Sequence, residues 1–150
     1  MKKINCLVQE QVFSKEEIRK LEAGLKQVYA DNYSLEPVSI FWMIMPEGYA
    51  FSERKPSKAT IIMVEVNDDI RQEKREELMH LFSKFLLQNF DISPLDSVIT
   101  VANTSFVNAF FEAQRKRIRP LYQPLVLFKT VGTALKSKWK DGFLELKVRY

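Results

Sequence analysis

The sequence predicts an α/β chain of the α+β two-layer sandwich type. Two β-α-β units form one sheet covered by two helices, with a C-terminal β-rich extension. Three observations carry this reading. Short β-branched runs alternate with stretches of helical apolar period. The order strand, helix, strand occurs twice, as a repeat of pattern rather than of residue identity. The first strand starts almost at the first residue, with Ile4, Cys6 and Val8 alternating.

The elements follow in order. Residues 3–9 read as the first strand. Ser14 and Glu17 have the spacing of a capping box, in which each side chain satisfies a backbone N–H of the other. Ile18, Leu21, Leu25 and Val28 then share one helical face, and the helix is expected to end near Asp31 and Asn32. "PVSIFWMIM" (37–45) is a strand apolar at nearly every position, so it calls for cover on both faces. Its own helices supply one face; a second copy of the chain supplies the other. "PEGYAFSERKPS" (46–57) is turn material, and "ATIIMVEV" (59–66) is a β-branched strand. Asp69 and Gln72 form a second capping-box candidate. Leu78, Leu81, Phe82, Phe85 and Leu86 continue it as an amphipathic helix to about Asn89. "SVITVA" (97–102) closes the second unit. Beyond it, "SFVNAFFEAQRKRIRPLYQP" reads as a short helix or irregular stretch. "PLVLFKTV" (124–131) and "FLELKVRY" (143–150) read as strands around a short basic helix. Leu125, Leu127, Phe143, Leu144, Leu146 and Val148 are expected to be packed.

At 150 residues the chain is one domain of ordinary size, divided at 118 into a two-unit body and a basic extension over 119–150. Its 46% apolar content and 11 Phe exclude whole-chain disorder. No apolar run approaches the roughly 18 residues of a membrane span, and "MKKINCLVQEQ" is too short in its apolar part for a secretory signal. A single cysteine, Cys6, excludes an internal disulfide and any multi-cysteine zinc site. A cytoplasmic protein without membrane partners is expected. Residues 1–112 carry 13 Lys/Arg and 17 Asp/Glu, net −4, whereas 113–150 carry 10 and 2, net +8. The basic character therefore resides in the extension, where it suits an acidic partner or simply solvent. "RKRIR" (115–119) lacks interleaved aromatics, which disfavours nucleic acid. With four glycines there is no Gly-rich phosphate loop, and no G-x-S-x-G, H-E-x-x-H or C-x-x-C occurs. The lone His80 is a helix-surface residue rather than a metal ligand, and no cofactor is implied.

The stretches "KINCLVQEQVFSKEEI", "VSIFWMIMPEGYAF", "ATIIMVEVNDDIRQEKREEL" and "SVITVANTSFVNAFFE", in that order and spacing, resemble the tautomerase superfamily. The likeness is greatest to its cis-3-chloroacrylic acid dehalogenase-like branch and covers residues 1 to about 118. It implies a homotrimer with sheets facing inward. It also explains why the first strand begins so early, because the family's catalytic group is the amine of an N-terminal proline. Here the matching position is Lys2, and Met1 is expected to stay. If Met1 is lost, Lys2 offers an α-amine of reference pKa about 7.7–8.0 and an ε-amine of about 10.4. Carried over residue by residue, Tyr29 stands near the branch's histidine and Asp68 replaces its first arginine. Arg71 matches its second arginine, Ala102 replaces its tyrosine, and Glu112 matches its glutamate with one gap.

The resemblance therefore implies Lys2, Arg71 and Glu112 as catalytic candidates, with Tyr29 and Arg71 as substrate contacts. Arg71 would clamp a substrate carboxylate through its planar fork, and Lys2 would act as an amine base or nucleophile. The expected function is binding or isomerisation of a small keto/enol or unsaturated carboxylic acid, with proline-dependent tautomerase activity weak or lost. An active protein would be isomerase-like or lyase-like and metal-free. The alternative is a non-catalytic trimeric binding or assembly module whose basic tail contacts an acidic partner. Convergence of Lys2, Arg71 and Glu112 on one cavity discriminates the two.

Overall fold

The computed structural model describes residues 1–46, 51–52, 55–56, 59–117 and 120–147. Strand β1 (Lys2–Gln9) leads to helix α1 (Lys15–Asn32) and strand β2 (Val38–Met45). A two-residue pair, β3 (Phe51–Ser52) with β4 (Lys55–Pro56), precedes β5 (Thr60–Val66). The second unit continues with α2 (Gln72–Phe90) and β6 (Ser97–Asn103). Helices α3 (Thr104–Arg117) and α4 (Gln123–Asp141) and strand β7 (Leu144–Lys147) complete the chain.

The sheet order is β6-β5-β1-β2-β7. Each β-α-β unit contributes a parallel pair, β1 with β2 and β5 with β6. The two units meet antiparallel through β1 and β5, so the N-terminal end of β1 lies beside the C-terminal ends of β5 and β6. This junction positions the candidate site.

One face of the sheet carries Ile4, Cys6, Val8, Ile40, Trp42, Ile62 and Val64. Ile18, Leu21 and Leu25 of α1 and Leu78, Phe82 and Leu86 of α2 are buried in the same core. The Trp42 indole N–H donates to Glu22 Oε2 at 3.2 Å, so its polar edge is satisfied inside the core. Gly24 sits where α1 meets α2; a Cβ there would overlap the Phe85 ring. Cys6 is fully buried as expected, and burial pushes its thiol well above the ordinary range.

The opposite face carries Leu7, Phe41, Met43 and Met63, all partly exposed, with Ile61 and Val98 more open still. Two polar residues lie in its buried part. Asn5 Nδ2 and Glu65 Oε2 have no hydrogen-bond partner among the described residues. The doubly apolar character read in β2 thus reflects one face in the core and one face open.

The capping box of α1 forms as expected: the Glu17 N–H donates to Ser14 Oγ at 3.2 Å, and the Ser14 N–H donates to Glu17 Oε2 at 2.8 Å. The second one does not. Helix α2 starts at Gln72, with Arg71 as an N-cap that makes no side-chain cap bond. A turn over 67–70, closed by the Ile70 N–H on Asn67 O at 3.4 Å, delays the helix and leaves Gln72 first in it rather than third.

The C-terminal region corrects the reading most. Residues 124–131, expected as a strand, belong to the 19-residue helix α4. Pro124 presets the backbone of its first turn, and Gly142 ends it at φ 86°. Thr130 and Thr133 bond back to the carbonyls of Val126 and Lys129, each at 2.8 Å, which accommodates these β-branched residues in a helix. Leu125 and Leu127 are about two-thirds exposed, not packed. Among the described residues the extension is therefore a helix followed by one strand, not β-rich. That strand does pair with β2, in parallel, and Phe143 is buried against Trp42 as expected. Val148 and the segment 47–50 lie outside the described residues.

Candidate functional site

A polar cluster forms where the β1 N-terminus meets the ends of β5 and β6. The Lys2 ammonium donates to Thr104 Oγ1 at 2.6 Å, and the Thr104 hydroxyl donates to Val66 O at 3.0 Å. One residue on, the Ser105 N–H donates to Asp68 Oδ1 at 3.0 Å. That backbone bond holds Asp68 below the ordinary carboxylate range, and the charges of Lys2 and Arg75 push the same way. Asn103, the last residue of β6, has a buried Oδ1 without a partner among the described residues. The arrangement follows from topology: Lys2 and Thr104 are 102 positions apart and meet only because β1 and β5 pair antiparallel.

Chemically, the cluster offers one ammonium held by a neutral hydroxyl, one ionised carboxylate, and an amide oxygen. The ammonium and hydroxyl suit an anionic or carbonyl oxygen. Asp68 opposes a second negative charge where the resemblance expects an arginine.

The residues expected from the sequence are placed as follows. Lys2 is at the centre of the cluster. Arg71, three residues beyond Asp68, is exposed at the start of α2, and its guanidinium has no partner among the described residues. Tyr29 is fully buried, and its hydroxyl donates to Glu65 O at 3.2 Å; burial raises its pKa beyond the ordinary phenol range. Glu112 lies on α3, eight residues past Thr104, or roughly 12 Å along the helix at 1.5 Å per residue. It is exposed and pairs with Arg115 at 3.5 Å. Within one chain, Lys2 and Arg71 share one end of the sheet; the Tyr29 hydroxyl donates to the carbonyl one residue before Val66, from inside the core, and Glu112 lies two turns along α3. Asp68, Asn103 and Thr104 were missed as a group. Polar "VND" and "NTS" runs at strand ends were the available signal.

No protein-family model matches the chain, and no curated protein matches it by sequence. Solved structures do. A structure of Pt0534 inactivated by 2-oxo-3-pentynoate superposes with a TM-score of 0.60 at 14% identity, covering 67% of this chain and 84% of that one. N1, a member of the cis-3-chloroacrylic acid dehalogenase family, gives 0.60 at 10% identity, covering 67% and 73%. The F6 fused 4-OT wild-type asymmetric trimer gives 0.57 at 15% identity, covering 67% and 85%. The chain has the tautomerase fold. This is the architecture that the resemblance implied, built here with a third of the chain outside each match. In the tautomerase fold, as this chain forms it, the polar cluster sits at the N-terminal end of β1.

Proposed function

We propose that the protein is a homotrimer of the tautomerase superfamily that binds a small keto/enol or unsaturated carboxylic acid at the Lys2 end of the sheet. Its proline-dependent tautomerase activity is weak or lost. The observation that carries this reading is the bonded chain from Lys2 through Thr104 to the Val66 carbonyl. By the resemblance, Lys2 takes the position of the family's proline amine.

The chemistry supports binding more than turnover. A base must hold a free lone pair to take a proton. The Lys2 side chain is engaged as a donor to Thr104. It can instead attract a carboxylate or polarise an enol oxygen. Arg71, exposed and unpaired among the described residues at the same end, supplies a second cation for the carboxylate. Pt0534, whose structure is similar, was inactivated by 2-oxo-3-pentynoate, an unsaturated 2-keto acid, which supports this ligand class.

The trimer rests on the open sheet face. Leu7, Phe41, Met43 and Met63 lie uncovered there, and Asn5 and Glu65 lack partners for buried atoms. A second copy covers the first set and offers partners to the second. The trimeric state of the fused 4-OT structure supports the same arrangement. The non-catalytic assembly module remains the competing reading, favoured by the placing of Glu112 two turns along α3, exposed and paired with Arg115, and by the core burial of Tyr29.

Calorimetric titration with phenylpyruvate tests the site. Saturable binding is expected, weakened about 10–100-fold in Lys2→Met, the value of a hydrogen bond to a charged group. No binding, or equal binding by Lys2→Met, refutes the site and leaves the assembly module.

A further inference from the structure

Helix α4 exposes an apolar stripe that nothing among the described residues covers. Phe128, Val131, Leu135 and Trp139 are spaced by three, four and four residues, so they line one side of the helix. They are 85%, 48%, 61% and 94% exposed. The side of α4 that meets the body is a different one. It carries Ala134 and Ser137, with the Ser137 hydroxyl accepting from the Glu145 N–H at 2.8 Å. Gly132, beside the stripe, has only open space where a Cβ would stand. Lys129, Lys136 and Lys140 run along the polar side, all exposed.

The charge carried by this stretch of chain is mostly positive, with Glu22 and Asp141 as acids beside the C-terminal half of the helix. From 113 to 140 the chain has eight Lys/Arg and no Asp or Glu. Aromatic and aliphatic side chains on one side and exposed lysines on another, with the neighbouring acids Glu22 and Asp141 already paired to Lys26 and Lys15, describe a helix suited to lie in an anionic interface. The stripe is a convex ridge on a single helix, and a fluid surface needs no matching groove. Two such cationic arms would repel each other, which disfavours arm-to-arm pairing of copies. The sequence reading expected no membrane partner because no segment spans, and no helix among the described residues is long and apolar enough to cross one. A helix lying flat needs no span. The stripe escaped notice because its first half was read as a strand.

We propose that α4 docks on an anionic lipid surface, burying Phe128, Val131, Leu135 and Trp139 while Lys129, Lys136 and Lys140 face the headgroups. The inference is independent of the ligand site. The test uses the full chain and vesicles of equal parts phosphatidylglycerol and phosphatidylcholine, with pure phosphatidylcholine beside them. Co-sedimentation with the mixed vesicles and little with the neutral ones is expected. Trp139 emission should shift to the blue on binding, while Trp42, already fully buried, stays silent. Replacing the three lysines by Gln should cut partitioning roughly a hundredfold, at about fivefold per lysine. Phe128→Glu with Leu135→Glu should abolish it with unchanged circular dichroism. Absent binding, or equal binding to both vesicle types, overturns the proposal. So does an unbound protein whose Trp139 emission is already blue and whose mass falls on Phe128→Glu, because a second copy then covers the stripe.

Discussion

Replacing Met43 by Glu should separate the subunits while leaving the subunit fold intact. Met43 lies on β2, opposite Leu7 of β1 and Leu146 of β7, on the face away from α1 and α2. Within one chain it is only partly buried, so a charged side chain there reaches water. The expected cost to the subunit is within about 0.5 kcal/mol plus a strand-propensity loss of at most about 1 kcal/mol. In a trimer with inward-facing sheets the same carboxylate is buried without a partner. That costs about 3–5 kcal/mol per interface, or roughly 10²- to 10³-fold or more in the dissociation constant. Light scattering after size exclusion, at micromolar subunit, reads the result. The unmodified protein should run near three times 17.6 kDa and the variant near one, with matching far-ultraviolet circular dichroism. An unmodified protein that is monomeric, or a variant that stays trimeric, refutes the assignment of this face.

Further outcomes follow from individual contacts. Gly24→Ala forces α1 from α2 at the Phe85 ring and should cost about 1–3 kcal/mol in urea titration. Phe82→Ala opens a cavity in a fully buried position and should cost about 3–5 kcal/mol, read as a lowered denaturation midpoint. Ser14→Ala removes the side-chain half of a formed capping box, leaving the backbone N–H of residue 14 on Glu17, and should cost about 1 kcal/mol. Asp68 and Asp141 are both held below the ordinary carboxylate value, by the Ser105 amide and by Lys15 respectively. Depressed folded values mean stability that is present above the unfolded value near 3.9 and is lost as pH falls through the folded ones. Asp68→Asn with Asp141→Asn should therefore flatten the acid limb of a melting-temperature profile below about pH 4 and leave neutral pH slopes unchanged.

Much of the fold was legible because its signals are local. Ile4, Cys6 and Val8 alternate, Ser14 and Glu17 cap, and Leu78, Phe82 and Leu86 repeat every four residues; each pattern spans one element. Helix α4 was misread for a physical reason. Leu125 and Leu127 alternate over a window too short to separate a strand from a helix, and Thr130 and Val131 are β-branched. Pro124 and Gly142 bracket the helix and, with Phe128, Leu135 and Trp139, were the better signal. The site was legible only at Lys2. Thr104 and Asp68 join it through the antiparallel junction of the two units, a pairing that no local spacing encodes. Tyr29 was placed by correspondence with a related pattern, and its packing into the core depends on Glu65 of a strand 36 residues away.

The central claim is that an amine-centred site binds enol-type acids without the family's proline chemistry. The most direct measurement is the initial rate of ketonisation of enol-phenylpyruvate by the unmodified protein, its N-terminus confirmed by mass spectrometry, before and after acetylation of its amines. The account predicts a rate near that of buffer in both samples, because the family's proline amine, whose general-base contribution is worth about 10²–10⁴ in rate, is missing. Rapid turnover by the unmodified protein would contradict it, and its survival after the amines are blocked would place the chemistry away from Lys2.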